Sequence, residues 1–197
     1  MTKIYGLCDK ELLDYFEISL EEYVKIAHFY DVEWIQYRDK KSDIEQKREN
    51  LKLLKKIWSK TLIVNDHIEL AQFADGIHLG QEDFLSFLES FGFRSRYEAV
   101  KALRKIVGKK VIGLSTHNEE EIKEANILDL DYIGLGAYRH SGTKQVENIL
   151  GDRVKELVKI SRHPVAVIGG VRVYDNISSA TFKVIGSDLF KKWLTFS

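Results

Sequence analysis

TLIVNDHIELAQFADGIHLGQED, residues 61–83, carries two short apolar runs on either side of an amphipathic stretch. The runs at 61–65 and 76–80 are too short for ordinary helices and suit buried strands. Strand, crossover, strand is the unit of a parallel sheet. Both runs end in polar residues, Asn65 and Asp66 after the first and Gln81, Glu82 and Asp83 after the second.

The same pattern extends in both directions. IYGLC (4–8), EWIQYR (33–38), VIGLS (111–115), YIGLG (132–136), VAVIGG (165–170) and FKVIGS (182–187) bring the runs to eight. Helical patterns lie between them. SLEEYVKIAHFY opens with Ser19 and has Glu22 three positions on, a capping box. DIEQKRENLKLLKKIW, YEAVKALRKIV, NEEEIKEANIL and DRVKELVKIS repeat apolar residues at helical period. Alternation of this kind indicates an α/β fold, a (β/α)8 TIM barrel in one domain over residues 1–197. An open doubly wound sheet is the alternative, and eight units in so short a chain favour the barrel. FLSFLESFGFRSRYEAV is long for one loop and one helix, so an extra short helix is expected there. Only about ten residues follow the eighth run, so the final helix is curtailed.

Composition narrows the function classes. The chain is 44% hydrophobic and 30% charged, with 30 basic against 30 acidic residues and zero net charge. That balance is globular and gives no global basic field for nucleic acid. Cys8 is the only cysteine, which excludes an internal disulfide and disfavours a Cys-based zinc site. No apolar leader opens the sequence and no run approaches about 18 apolar residues, so a cytoplasmic protein with no membrane partner is expected.

In such barrels chemistry sits at the carboxyl ends of the strands. Those ends are polar here, and the opposite ends show nothing comparable. The second run leads to Gln36, Arg38 and Lys40, which alternate and so share one face in extended chain. Arg offers a bidentate fork to phosphate and Lys a mobile charge. Asp66 and Asp83 end neighbouring strands; together they suit Mg2+ bound through two carboxylates and phosphate oxygens, whereas singly each would serve as a helix cap. Ser115, Thr116 and His117 end the fifth run, with His117 divided between a capping and a catalytic role. Gly169, Gly170, Gly186 and Ser187 close runs seven and eight, where backbone N–H groups can approach an anion. His78, between Ile77 and Leu79, is expected to point into the barrel and be hydrogen-bonded there. Cys8 reads as a packing residue.

QYRDK, IVNDHIELAQFADGIHLGQED, GLSTHNEEEIKEA, DYIGLG with SGTK, and VIGG followed by an Asn resemble thiamine-phosphate synthase and its TenI relatives, in order and at similar spacing. The resemblance implies a Mg2+-dependent barrel that couples hydroxymethylpyrimidine diphosphate to thiazole phosphate and releases pyrophosphate. It implies that Gln36, Arg38 and Lys40 hold the diphosphate, aided by Asn65 and Lys144, and that Asp66 and Asp83 carry the metal. Gly170, Gly186 and Ser187, with Ser141 and Thr143, would hold the thiazole phosphate. Lys40, Ser115, His117 and Lys144 would stand nearest the reaction. Family barrels are often dimers, so a homodimer is a state open to test. The loop GAYRHSGTK departs from the family pattern at Ala137, Arg139, His140 and Ser141, and Phe182 and Lys183 depart from it in the eighth strand. These departures fall on the thiazole-phosphate side. The alternatives are a TenI-type thiazole tautomerase relying on His117 and a non-catalytic paralogue that binds a thiamine precursor.

Overall fold

The computed structural model describes residues 2–140 and 149–193. Eight parallel strands hydrogen-bond in sequence order, and the last pairs with the first to close a barrel. They are β1 (Lys3–Asp9), β2 (Val32–Arg38), β3 (Thr61–Asn65), β4 (Gly76–Leu79), β5 (Val111–Thr116), β6 (Tyr132–Leu135), β7 (Val165–Val167) and β8 (Phe182–Ile185). The barrel, not the open sheet, is the fold.

Strand alternation divides the apolar residues between two cores. Tyr5, Ile63, Tyr132, Ala166, Phe182 and Val184 form the inner one, with Trp34 packed against it. Tyr5, Trp34, Tyr132 and Phe182 meet mainly edge to face, with ring centroids 4.5–6.0 Å apart. Gly113 makes room for this cluster, since a Cβ there would lie 2.2 Å from the Tyr132 ring. The lower barrel is thus filled, and a ligand must sit above it. Ile35, Tyr37, Leu62, Val64, Ile77, Leu79, Ile112 and Leu114 face outward into the second core, under the helices.

The helices follow their caps. In α2 (Leu20–Phe29) Ser19 and Glu22 form the expected capping box. Asp43 caps α3 (Ile44–Ile57) and Ser95 caps α5 (Arg96–Val107). Asn118 caps α6 (Glu119–Ala125), and α7 (Val154–Ile160) precedes β7. The extra helix after β4 is α4 (Gln81–Ser90). A further short helix, α1 (Lys10–Tyr15), is capped by Asp9 and has no counterpart in the sequence reading. The final helix is short, α8 (Ser187–Trp193).

Two crossovers depart from regular alternation. Between β3 and β4 the chain makes only a 3-10 helix, Ile68–Phe73. Between β7 and β8 there is no helix, because VRVYDNISSAT offers no helical apolar stripe. Polar bonds hold that segment instead: the Lys183 ammonium donates to the carbonyls of Val173 and Asp175, and Thr181 N–H to the Val165 carbonyl at 3.0 Å. Lys183, unexpected in a strand, acquires a structural role there.

The opposite end of the barrel is also charged, contrary to the sequence reading, but its charges are used internally. Asp75 accepts from Leu62 N–H at 3.0 Å and from Lys55, and Asp131 from Ile112 N–H and Arg104, both at 2.8 Å. A groove of about 420 Å3 lies on this side, lined by Lys52, Lys55, Lys56, Phe73, Asp75 and Lys110 among others. Lys52, Lys55 and Lys110 are already bonded to Glu49, Asp75 and the Ala74 carbonyl.

Candidate active site

β2 delivers Gln36, Arg38 and Lys40 at different heights. Gln36 is 4% exposed and its amide donates to the Tyr5 hydroxyl at 2.9 Å. That hydroxyl is 2.9 Å from Tyr132 Oη, so a line of polar groups crosses the barrel beneath the mouth. Burial drives the Tyr5 and Tyr132 phenols well above the usual range, which keeps both protonated. Arg38 lies beside Asp9 in the β1–β2 register and donates to that buried carboxylate. Asp9 therefore fixes the Arg38 guanidinium, which keeps other N–H groups for a ligand. Lys40 follows the strand and is exposed.

β3 and β4 bring the two acidic residues together. Asp66 turns left-handed, with φ 64°, a conformation that Asp tolerates better than most residues. Its carboxylate accepts from Gly80 N–H at 2.9 Å and from the Asn65 amide. Asp83 reaches back over Gly80, so that a Cβ on Gly80 would lie 3.2 Å from Asp83 Oδ2 and 3.6 Å from Asp66 Oδ1. Neither caps a helix: His67 and Gly80 hold the N-cap positions, without side-chain cap bonds. Burial and the neighbouring Asp83 raise the Asp66 carboxyl above the usual carboxylate range, against the pull of Gly80 N–H and Lys40. Two carboxylates that repel, with a Lys nearby, fit a divalent cation. Among the described residues no three His, Cys, Asp or Glu converge. The remaining ligands would then be water and substrate oxygens, which is the Mg2+ pattern and not that of a closed protein cage.

β4 and β5 carry a pair that the sequence disclosed only in part. His78 points inward, is 7% exposed, stacks on Tyr132 at 5.4 Å and places Nε2 2.9 Å from Ser115 Oγ. Nδ1 has no hydrogen-bond partner among the described residues. Burial pushes the imidazole down to about 4, so it is neutral at pH 7. Gln81 donates to the Ser115 carbonyl and accepts from Arg96 at 2.8 Å. Tyr5, Tyr132 and Arg96 were not singled out in the sequence, and Gln81 was noted there only as a polar strand end. The inward phase of Tyr5 and Tyr132 on their strands is the signal that could have found the tyrosines. His117 stands at the start of α6, where Glu121 accepts from its N–H at 2.9 Å and lies 3.0 Å from Nδ1. This is a local bond at the helix start, and it leaves Nε2 without a partner among the described residues. Cys8 is fully buried and its thiol is raised by burial, as befits packing.

On the far side, Gly169 (φ 90°) and Gly170 (φ 65°) turn the chain after β7 in a conformation that favours glycine. Neither N–H is bonded among the described residues. Gly186 differs: a Cβ there would meet only ordinary contacts at 3.8–4.0 Å, so the protein's own packing does not require glycine. Ser187, next to it, begins α8. Ser141, Thr143 and Lys144 lie outside the described residues.

The fold and its mouth define a parallel (β/α)8 barrel with an acidic pair, the cations Arg38 and Lys40 and, among the described residues, unbonded glycine N–H groups at the carboxyl ends of its strands. The family model described as thiamine monophosphate synthase (TMP-TENI) matches residues 4–184, and the chain belongs to that family. The thiamine-phosphate synthase of Persephonella marina is 38% identical over 144 residues, 70% of this chain and 62% of that protein. Thiamine-phosphate synthase 1 of Aquifex aeolicus is 36% identical over 147 residues, 71% of this chain and 62% of that protein. The matched stretch thus spans under two thirds of either relative. The synthase of Halalkalibacterium halodurans is 33% identical over 88% of this chain and 78% of its own length. Among solved structures, thiamine phosphate pyrophosphorylase from Pyrococcus furiosus superposes with TM-score 0.73 at 20% identity, over 98% of this chain and 96% of that one. An N-acetylmannosamine-6-phosphate 2-epimerase from Clostridium perfringens reaches 0.63 at 13% identity, covering 99% and 93%. At these identities both likenesses concern the fold alone.

Proposed function

We propose that this single barrel domain is a Mg2+-dependent transferase that joins hydroxymethylpyrimidine diphosphate to thiazole phosphate, giving thiamine phosphate and pyrophosphate. The observation that carries the reading is the pair Asp66, just after β3, and Asp83, in the first turn of α4, whose carboxylates converge over Gly80 although neither residue is an N-cap. The names of the relatives support the same reaction.

In this reading Arg38, Lys40 and Asn65 hold the diphosphate, with Lys144, which follows β6 in the sequence. Gln36 supports the site from below, through Tyr5. Mg2+ between Asp66 and Asp83 would withdraw charge from the departing pyrophosphate. The methylene carbon–oxygen bond breaks with its electron pair going to pyrophosphate, and the thiazole nitrogen supplies the pair for the new carbon–nitrogen bond. No side-chain nucleophile takes part; the chain positions the two reactants and shields them. Ser115, held by His78, lies beneath the reacting centre. Gly170, Gly186 and Ser187, with Ser141 and Thr143, receive the thiazole phosphate. Gly186, a glycine the packing does not need, suits close approach of a phosphate to the backbone.

Asp83→Ala tests the metal assignment. The account expects loss of Mg2+-dependent turnover by about 100-fold or more, with a melting temperature close to that of the parent. Retained turnover would refute the assignment. The tautomerase reading rests on His117, whose Nε2 is without a partner among the described residues. Thiazole isomerisation without coupling, abolished in His117→Ala, would establish it.

A further inference from the structure

The two cations that follow β2 stand on different supports. Arg38 is tied directly to the buried Asp9. Lys40 lies beyond the strand and is exposed, and the residue before it, Asp39, is only 5% exposed. A carboxylate buried between two cations of the mouth, yet paired with neither of them, calls for another role.

The bonds of Asp39 supply one. Its Oδ1 accepts from the N–H groups of Lys41 and Ser42, at 3.1 and 3.0 Å, and so folds the chain tightly around Lys40. Its Oδ2 accepts from the Tyr37 hydroxyl at 2.8 Å. Tyr37 points outward, under the helices, as alternation requires of a residue between Gln36 and Arg38. There its oxygen accepts from the Asn50 amide at 2.7 Å, and Asn50 Oδ1 accepts from the Gln46 amide at 3.0 Å. Gln46 and Asn50 lie one turn apart on α3. An unbroken line of hydrogen bonds therefore runs from α3, through Tyr37, to the loop that carries Lys40. Burial alone would raise the Asp39 carboxyl, but Ser42, Tyr37 and Lys41 hold it below the usual range, so it accepts all three bonds as a carboxylate. The next lysine, Lys41, reaches Glu11 at 2.9 Å, whereas the charge of Lys40 acts on Asp66.

We propose that Asp39, anchored on Tyr37 and α3, is a positioning residue that holds the loop after β2 in the turn presenting Lys40 to the acidic pair, and so sets the affinity for the diphosphate. This rests on the function proposed above, in which Arg38 and Lys40 receive that group. A lysine ammonium on its flexible stem samples a wide volume, and a fixed backbone at Lys40 narrows it. Arg38 does not depend on this turn, because Asp9 holds it.

Calorimetric binding of pyrophosphate in the presence of Mg2+ tests this without turnover. Charge and position predict opposite signs. Removing a carboxylate beside an anion site tightens the anion on charge alone. Asp39→Ala should instead weaken pyrophosphate about tenfold. Asp39→Asn, which keeps an acceptor for the two N–H groups, should restore most of the affinity. Lys40→Ala should also cost about tenfold, and the double variant little more than either, since Asp39 acts through Lys40. Tyr37→Phe leaves the carboxylate in place but removes its anchor, and should weaken pyrophosphate about threefold; it carries the test if Asp39→Ala does not fold. Affinity in Asp39→Ala equal to or above the parent's, an Asn variant as weak as the Ala variant, or losses that multiply to about a hundredfold in the double variant overturns the proposal, as does unchanged affinity in Tyr37→Phe. A parent protein that binds no pyrophosphate with Mg2+ overturns the diphosphate reading beneath it, a result distinct from a tight-binding Ala variant.

Discussion

His78 gives the barrel a pH dependence that can be calculated. An imidazole in the unfolded chain titrates near 6.5, whereas burial pushes the folded one down to about 4. Below pH 6.5 the unfolded chain therefore takes up a proton that the folded protein refuses. Stability that is complete above pH 6.5 is lost as pH falls towards 4. The difference amounts to about 3 kcal/mol at full extent and about 2 kcal/mol by pH 5. Substituting His78→Gln removes the titrating group while keeping an amide for Ser115. The ring's packing against Tyr132 is lost at every pH, so the pH slope and not the absolute stability is the quantity to compare. Urea unfolding at pH 7 and pH 5 should show the parent losing about 2 kcal/mol more than the variant over that interval. Carboxylates elsewhere titrate in both proteins and cancel. Parallel losses would refute a buried, neutral His78.

Three further outcomes follow from particular contacts. Gly113→Ala places a methyl 2.2 Å from a Tyr132 ring that is fully buried and bonded to Tyr5, and should cost about 3 kcal/mol in chemical denaturation; a loss below ~0.5 kcal/mol would contradict the inner packing. Asp66→Asn replaces a repelling carboxylate with an amide that tolerates the same backbone. It should stabilise the metal-free protein by about 1 kcal/mol, and Mg2+, expected to raise the parent's melting temperature, should leave the variant's unchanged. Lys183→Met deprives the Val173 and Asp175 carbonyls of their donor and should destabilise by about 1–2 kcal/mol, read by thermal unfolding.

The barrel was legible because each strand is a short Val/Ile/Leu-rich run and most helices have a local cap, as Ser19 and Glu22 illustrate. The β7–β8 crossover was not, since a segment held by Lys183, by the pairing of Asp175 with Arg139 and by a few backbone bonds has no periodic signature. At the site, the acidic pair could be read because both residues fall just after strand ends, whose positions the apolar runs fix. That they face one another without capping anything depends on the turn at Asp66, which sequence does not specify. Alternation puts Gln36 on one face with Arg38 but does not disclose its burial a layer below, bonded to Tyr5. The Tyr5–Tyr132 line and the bond from His78 to Ser115 join residues 127 and 37 positions apart, so only barrel closure creates them. Arg139 stood out as foreign to its loop, but its partner Asp175 could be found only once the two loops were seen side by side.

The most direct test mixes the purified protein with hydroxymethylpyrimidine diphosphate, thiazole phosphate and Mg2+, and follows thiamine phosphate and pyrophosphate together. The account predicts that both form in equal amounts, that chelating the metal stops both, and that Asp83→Ala forms neither. Tight binding of both substrates with no product in the presence of Mg2+ would contradict it.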